Sequence, residues 1–277
     1  IREYFAKQVR EKNPDAWRAA HRRLYEHLCA TAPECTRVDP IKQMMRQLGM
    51  STGADGDQPR PEDLQPLYQA VAHGCQAGLQ QETAEGLYLN RITRGNEKYP
   101  MRKLGAFGSD SGAVACFFEQ PWSRVSSVLN EAYQAWMFNQ AAFRLRALGR
   151  LAESLEPMRA GLPIELKRED WENAAIRASN LSELELTLGE VAGAVGDASR
   201  GVTYADRSGD AFWKLASRTA HADALHQAGR RAEAEKLFRE AEQLQQERQP
   251  DYPRLYSQQG FIYCDLLLAA PERAAWQ

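Results

Sequence analysis

The sequence predicts an all-α protein: a solenoid of stacked antiparallel helix pairs behind an N-terminal helical segment. Three observations predict it. Gly149, Gly189 and Gly229 stand 40 residues apart. The residues around them match in register. Small side chains recur at fixed places on either side of each Gly. The columns are Ala142, Ser182 and Ala222; then Ser154, Ala194 and Ala234; then Gly161, Gly201 and Ala241. A fixed period of this length marks a repeat architecture, in which each unit packs on its neighbours. The small columns let two helix axes approach, and the Gly between them supplies the left-handed backbone that ends the first helix.

Element by element, residues 1–30 read as one or two helices. Asn13 is placed to cap and Pro14 to take the first helical position. Trp17, His21, Leu24, Tyr25 and Leu28 then follow at helical spacing. Residues 50–66 are rich in Gly, Asp and Pro and read as a mobile linker or surface insertion, with a short helix over 40–48 before it. A weaker unit flanks Gly78, its helices over 64–77 and 79–92. An irregular helical unit over 101–118 is broken by Pro121. The three strong units follow, with Pro157 expected to kink or delay the second helix of one of them. A last unit begins near Tyr252, its first helix over 255–268. Its partner starts at Pro271 and is cut short at Gln277. The expected division is a helical segment over 1–35, a mobile loop over 36–63 and repeats over 64–277, with the irregular unit at 99–127.

Composition narrows the function classes. The chain has 277 residues, 35 basic and 37 acidic side chains and a formal charge of −2. That balance argues against a broad nucleic-acid surface, which needs a basic excess. No apolar run is long enough for a membrane span. The five cysteines, Cys29, Cys35, Cys75, Cys116 and Cys264, are odd in number with no C-x-x-C, which fits free thiols in a reducing, cytoplasmic setting. The first residues contain no Met and no signal pattern and suggest the middle of a longer chain.

Candidate chemistry is sparse. His21, His27, Cys29 and Cys35 are ligand types without a zinc spacing, and no metal is expected. His73 and Cys75 are two apart on a helix and do not face each other, so a buried packing thiol is the better reading than a dyad. The acidic pairs Glu183/Glu185 and Glu169/Asp170 read as exposed helix carboxylates, solvated or paired with Lys and Arg one turn away. Arg230 with Glu233 and Arg239 with Glu235 read as surface pairs one turn apart. There is no phosphate loop, and the fragment Gly105–Gly108 is read on a helix without nucleotide context. No cofactor is expected.

The segments Leu145-x-x-x-Gly149-x-Leu151-x-x-Ser154, Leu188-Gly189-x-Val191-x-x-Ala194 and Leu225-x-x-x-Gly229-x-x-x-x-Ala234 resemble the tetratricopeptide repeat. That family's unit is about 34 residues, so about six are added here. The Trp/Tyr-rich columns of the family are largely absent. The resemblance implies a non-enzymatic module whose first helices line a concave groove for a protein or peptide. It places Trp136, Asn139, Phe143 and Arg146 in the groove from one unit. The next gives Ser179, Glu183, Leu186 and Thr187, and the next Thr219, Asp223, His226 and Gln227. Tyr68 extends the stripe from the early unit. With Arg146 the one strong cation beside Glu183 and Asp223, a basic or neutral segment is a better match than a terminal carboxylate. The opening Ile1-Arg2-Glu3-Tyr4-Phe5, followed by an amphipathic helix and repeats, resembles the junction after the winged helix of bacterial STAND-type signalling NTPases. It implies a sensor region beside an NTPase core, with a scaffold lacking a nucleotide switch as the alternative and a cysteine hydrolase as a third reading.

Overall fold

The computed structural model describes residues 2–32 and 59–276, and of residues 2–5 and 7 the backbone alone. Cys35, the expected helix at 40–48 and most of the expected loop lie outside the described residues. Two compact bodies divide the chain, Ile1–Arg150 and Leu151–Gln277. The described structure is almost wholly helical, as expected.

In the first body, α1 (Arg2–Lys12) leads to α2 (Pro14–Thr31). The Asn13 side chain accepts from the Ala16 N–H at 3.1 Å, and Pro14 opens the helix, so the predicted start signal operates as read. Helix α3 (Pro61–Gln76) packs against α2 and ends at Gly78, whose φ of 82° is left-handed. A short turn, Gln80–Glu82, runs into the π-helical segment Thr83–Ile92, together α4. Its wider winding was not expected from the sequence; π-helical turns are rare and often mark functional or strained positions. The stretch read as an irregular helical unit is different. It holds two short helices, α5 (Tyr99–Arg102) and α6 (Phe107–Ala115), and then a two-stranded antiparallel hairpin, β1 (Phe118–Gln120) and β2 (Arg124–Val125). Pro121 therefore sits in a hairpin turn rather than a helix break. Gly105 lies in a left-handed turn before α6 rather than on a helix. Helix α7 (Glu131–Ala147) closes the body against α6.

The core of this body holds a buried polar knot. Arg144 of α7, Asp110 of α6 and Tyr88 of α4 are all fully buried. Arg144 Nε donates to Asp110 Oδ2 at 2.5 Å and Arg144 Nη2 donates to Tyr88 Oη at 2.7 Å. A further Arg144 nitrogen takes the Gln140 carbonyl at 2.9 Å. Burial pushes the Asp110 carboxyl above its ordinary value, and the guanidinium opposes the rise. Breaking such a pair from one side leaves an unpaired buried charge, at about 3–5 kcal/mol.

The second body is the regular solenoid: α8 (Leu151–Lys167), α9 (Trp171–Thr187), α10 (Val191–Ser208), α11 (Ala211–Gln227), α12 (Arg231–Arg248) and α13 (Ser257–Trp276). The starts of α7, α9 and α11 are 40 residues apart, as are those of α8, α10 and α12. Helix α9 pairs with α10 and α11 with α12, while α9 packs on α11 and α11 on α13, so the first helices of successive pairs form one layer. Close packing is carried by Ala174, Ala178, Ala194, Ala198, Ala222 and Ala224, all fully buried. Helix α8 starts at Leu151 and continues through Pro157 and Pro163, so the start is not delayed. Pro157 removes one N–H bond and crowds the carbonyl four residues back, a cost that packing of the helix against α9 offsets. Likewise α13 continues through Pro271, so no second helix begins there.

The period has a physical basis at both helix ends. After α7, α9 and α11 the N–H of Arg150, Glu190 and Arg230 reaches back to the carbonyl of Leu145, Glu185 and Leu225, each at 2.8 Å. The Gly149, Gly189 and Gly229 N–H groups take the carbonyls one turn inward. This is the Schellman pattern that needs a positive φ, met here at 73°, 81° and 76°. At the other end, Asn130, Asp170 and Asp210 cap α7, α9 and α11 by accepting from the N–H three residues on. These caps are a further column at the same spacing, which the small-residue columns overshadowed.

Candidate functional site

The predicted groove residues divide between the two bodies. In the first, Tyr68 is buried, so it belongs to the core and not to an open stripe. The cause is local: α3 packs against α6, and burial pushes the Tyr68 phenol well up, with Asp110 adding to the rise and Arg144 opposing it. Trp136 is half-buried, its ring 5.7 Å from that of Tyr88 and 5.6 Å from Tyr133. Asn139 and Phe143 are exposed, Phe143 by 51%, with Phe107 6.5 Å away as an aromatic neighbour. Arg146 is partly covered.

In the second body the first helices do build one cavity, of about 220 Å³. It is lined by Ser179, Ser182, Glu183 and Leu186 from α9 and by Phe212, Trp213, Thr219 and Asp223 from α11, with Gln258, Gln259 and Ile262 from α13. Ser179, Glu183, Leu186, Thr219 and Asp223 are among the residues that the repeat resemblance implies for the first helices, each set on one helix face. Thr219 is buried, its hydroxyl given to the Ala216 carbonyl at 2.8 Å, so it shapes the floor more than it offers a donor. Thr187 is exposed at the end of α9, its hydroxyl on the Glu183 carbonyl at 2.9 Å. His226 and Gln227 line a separate, open depression with Arg231, Asp265 and Arg273.

Phe212, Trp213, Gln258, Gln259 and Ile262 escaped the sequence reading. Phe212 and Trp213 sit in the first turn of α11, directly after the Asp210 cap and about two turns before Thr219. The rings meet edge-on at 4.9 Å, and the Trp213 indole N–H donates to Glu172 at 3.1 Å. Adjacent aromatics after an Asp cap were a usable signal. The α13 residues were hidden because the connection before it is longer than in the other units, so the 40-residue frame no longer applies.

Electrostatically the cavity is acidic. Asp223 is half-buried, and its Oδ1 accepts from Gln227 Nε2 at 3.5 Å, the limit for a hydrogen bond. Burial pushes its carboxyl above the ordinary value; Gln227 and His226 oppose the rise, and Asp265 and Glu183 add to it. The Ser182 hydroxyl is buried without a hydrogen-bond partner.

Other expected groups resolve simply. Glu185, read as exposed, is buried: Arg159 of α8 reaches its Oε1 at 2.8 Å and Glu190 at 3.0 Å. Arg230–Glu233 and Arg239–Glu235 are the surface pairs expected. Cys75 is buried, and burial pushes its thiol well up and that of Cys116 up, the reverse of what a nucleophile needs. His21 faces His73 rather than a cysteine, Nδ1 to Nδ1 at 2.7 Å. No group of three or more His, Cys, Asp or Glu that could hold a metal occurs among the described residues. No helix among them is long and apolar enough to cross a membrane.

Comparison with known proteins is sparse. No family model matches the chain, and no curated protein matches it. Among solved structures it is similar to a kinesin-light-chain-like protein of Podosopora anserina with nearly identical TPR-like repeats. The identity is 16%, over 84% of this chain and 98% of that one, with a TM-score of 0.47.

Proposed function

We propose that the chain is a non-catalytic binding module and that its second body holds a protein or peptide segment along the layer formed by α9, α11 and α13. The observation that carries this is the cavity itself. Two fixed aromatic rings, three hydroxyls, several amides and two carboxylates converge on one concave face, the mix of apolar anchor and orienting polar groups that peptide sites use. The pushed-up thiols favour this over a cysteine hydrolase. In the wider setting we propose, the module is the sensing part of a larger cytoplasmic signalling protein of bacterial STAND type, a reading supported by the resemblance of residues 1–30 and of the repeats. A full-length reading frame without an upstream phosphate loop removes that setting and leaves a scaffold.

Site-specific photo-crosslinking tests the groove. A benzophenone side chain at Gln259, on the cavity wall, is expected to trap a partner in host cells. The same group at Arg239, on the opposite helix layer, is expected to trap none. Equal capture from both positions, or capture from Arg239 alone, moves the binding surface elsewhere.

A further inference from the structure

We propose that the cavity between α9, α11 and α13 takes a primary ammonium, presented as a Lys side chain of the bound segment; this rests on the reading of that cavity as a peptide groove. The charge of the cavity points this way. Glu183 and Asp223 line it, and among its described lining residues there is no Lys or Arg. Asp223 is half-buried, with a single long contact from Gln227 on one oxygen. Its surroundings are Glu183 from α9, Asp265 from α13, and His226 and Gln227 from its own helix. A carboxylate placed among other acids and partly removed from water is stabilised by an incoming cation.

A second, independent feature points to a ligand with several donors. Ser182 lines the same cavity, is 1% exposed, and its hydroxyl has no partner. A buried polar atom without a partner is rare, and a ligand donor would satisfy it. An ammonium carries three donors on a compact head, enough for the carboxylate and a hydroxyl together. A guanidinium's planar fork pairs best with both oxygens of one carboxylate, whereas the compact ammonium can divide its donors between a carboxylate and a hydroxyl. The aliphatic stem finds Leu186, Phe212, Trp213 and Ile262. The volume of about 220 Å³ holds one long side chain and not a folded element.

The test is selection of peptides from a random display library on the full chain, followed by titration watched through the Trp213 indole N–H resonance. Peptides that shift this resonance are expected to carry Lys. Replacing that Lys by norleucine, which keeps the stem and removes the charge, is expected to weaken binding at least tenfold. Asp223→Asn, a near-isosteric change checked by circular dichroism, is expected to abolish the difference between the Lys and norleucine peptides. Groove-binding peptides without a basic residue, a norleucine effect below threefold, or a Lys preference that survives Asp223→Asn overturns the ammonium and leaves the groove standing. If no selected peptide moves Trp213, the groove reading falls with it.

Discussion

His21 and His73 meet across α2 and α3 with their Nδ1 atoms 2.7 Å apart. Such a contact needs one ring to donate and the other to accept, so at least one must be neutral. Burial lowers the pKa of both, and for His21 the neighbouring ring lowers it further. The sign follows: a folded pKa below the unfolded value means that unfolding takes up protons. The contact therefore contributes stability above the ordinary histidine pKa of about 6.5 and loses it as the pH falls below that. Hydrogen exchange of α2 is expected to quicken between pH 7.5 and 5, with exchange of α10, which carries no histidine, unchanged after correction for intrinsic rates. His73→Gln, which keeps a donor and an acceptor and cannot charge, is expected to flatten the response. An equally steep response in the variant would assign it to other groups.

At the scale of the element, two glycines of one repeat column do different work. Gly201 lets α10 approach α9: an added Cβ would lie 3.3 Å from Ser179 Oγ and 3.4 Å from Ala178 Cβ. Gly161 instead makes room for a charge. Arg177 and Glu165 form a buried bidentate pair, at 2.9 and 2.6 Å, and a Cβ at Gly161 would lie 2.5 Å from the Arg177 guanidinium carbon. Gly161→Ala is expected to cost about 1–3 kcal/mol, the range for overpacking a filled interior, and Gly201→Ala less. Chemical denaturation of both variants checks the order; equal losses would mean the ion pair shifts freely. The column was legible because both reasons select a small residue. The reasons were not, because the partners come from α9 and no spacing within α8 or α10 reveals them. Glu169 shows the same limit. It ends α8 with a φ of 54°, the task of glycine in the neighbouring turns, and nothing in its type announces it. The lining of the cavity was legible where its residues follow helical spacing, as Ser179, Glu183 and Asp223 do. It was lost where a longer loop shifts the frame, as with Gln258 and Gln259, and where burial depends on a distant helix, as with Tyr68.

At the scale of the whole molecule, a solenoid couples each pair of helices mainly to its neighbours, so damage stays local. The end of the second body tests this. Phe238 of α12 is fully buried in a cluster with Ala222, Leu225, Ala234 and Leu266 of α13, and stacks on Tyr263 at 4.7 Å. Leu266 is the buried residue of α13, whose Phe261 is 76% exposed. Helix α13 therefore holds on by one face, and that face runs through Phe238. Phe238→Ala removes a ring at a typical cost of about 3–5 kcal/mol, more than one thinly covered helix can lose and stay docked. Hydrogen exchange is expected to show α13 and the end of α12 losing most of their protection, while α9 and α10 keep theirs within about threefold. Because α13 supplies Gln258, Gln259 and Ile262 to the cavity, the same variant is expected to lose peptide binding although Asp223 and Trp213 are untouched. A uniform loss of protection from α8 to α13 would mean that the second body unfolds as one cooperative unit and that its groove is not built pair by pair.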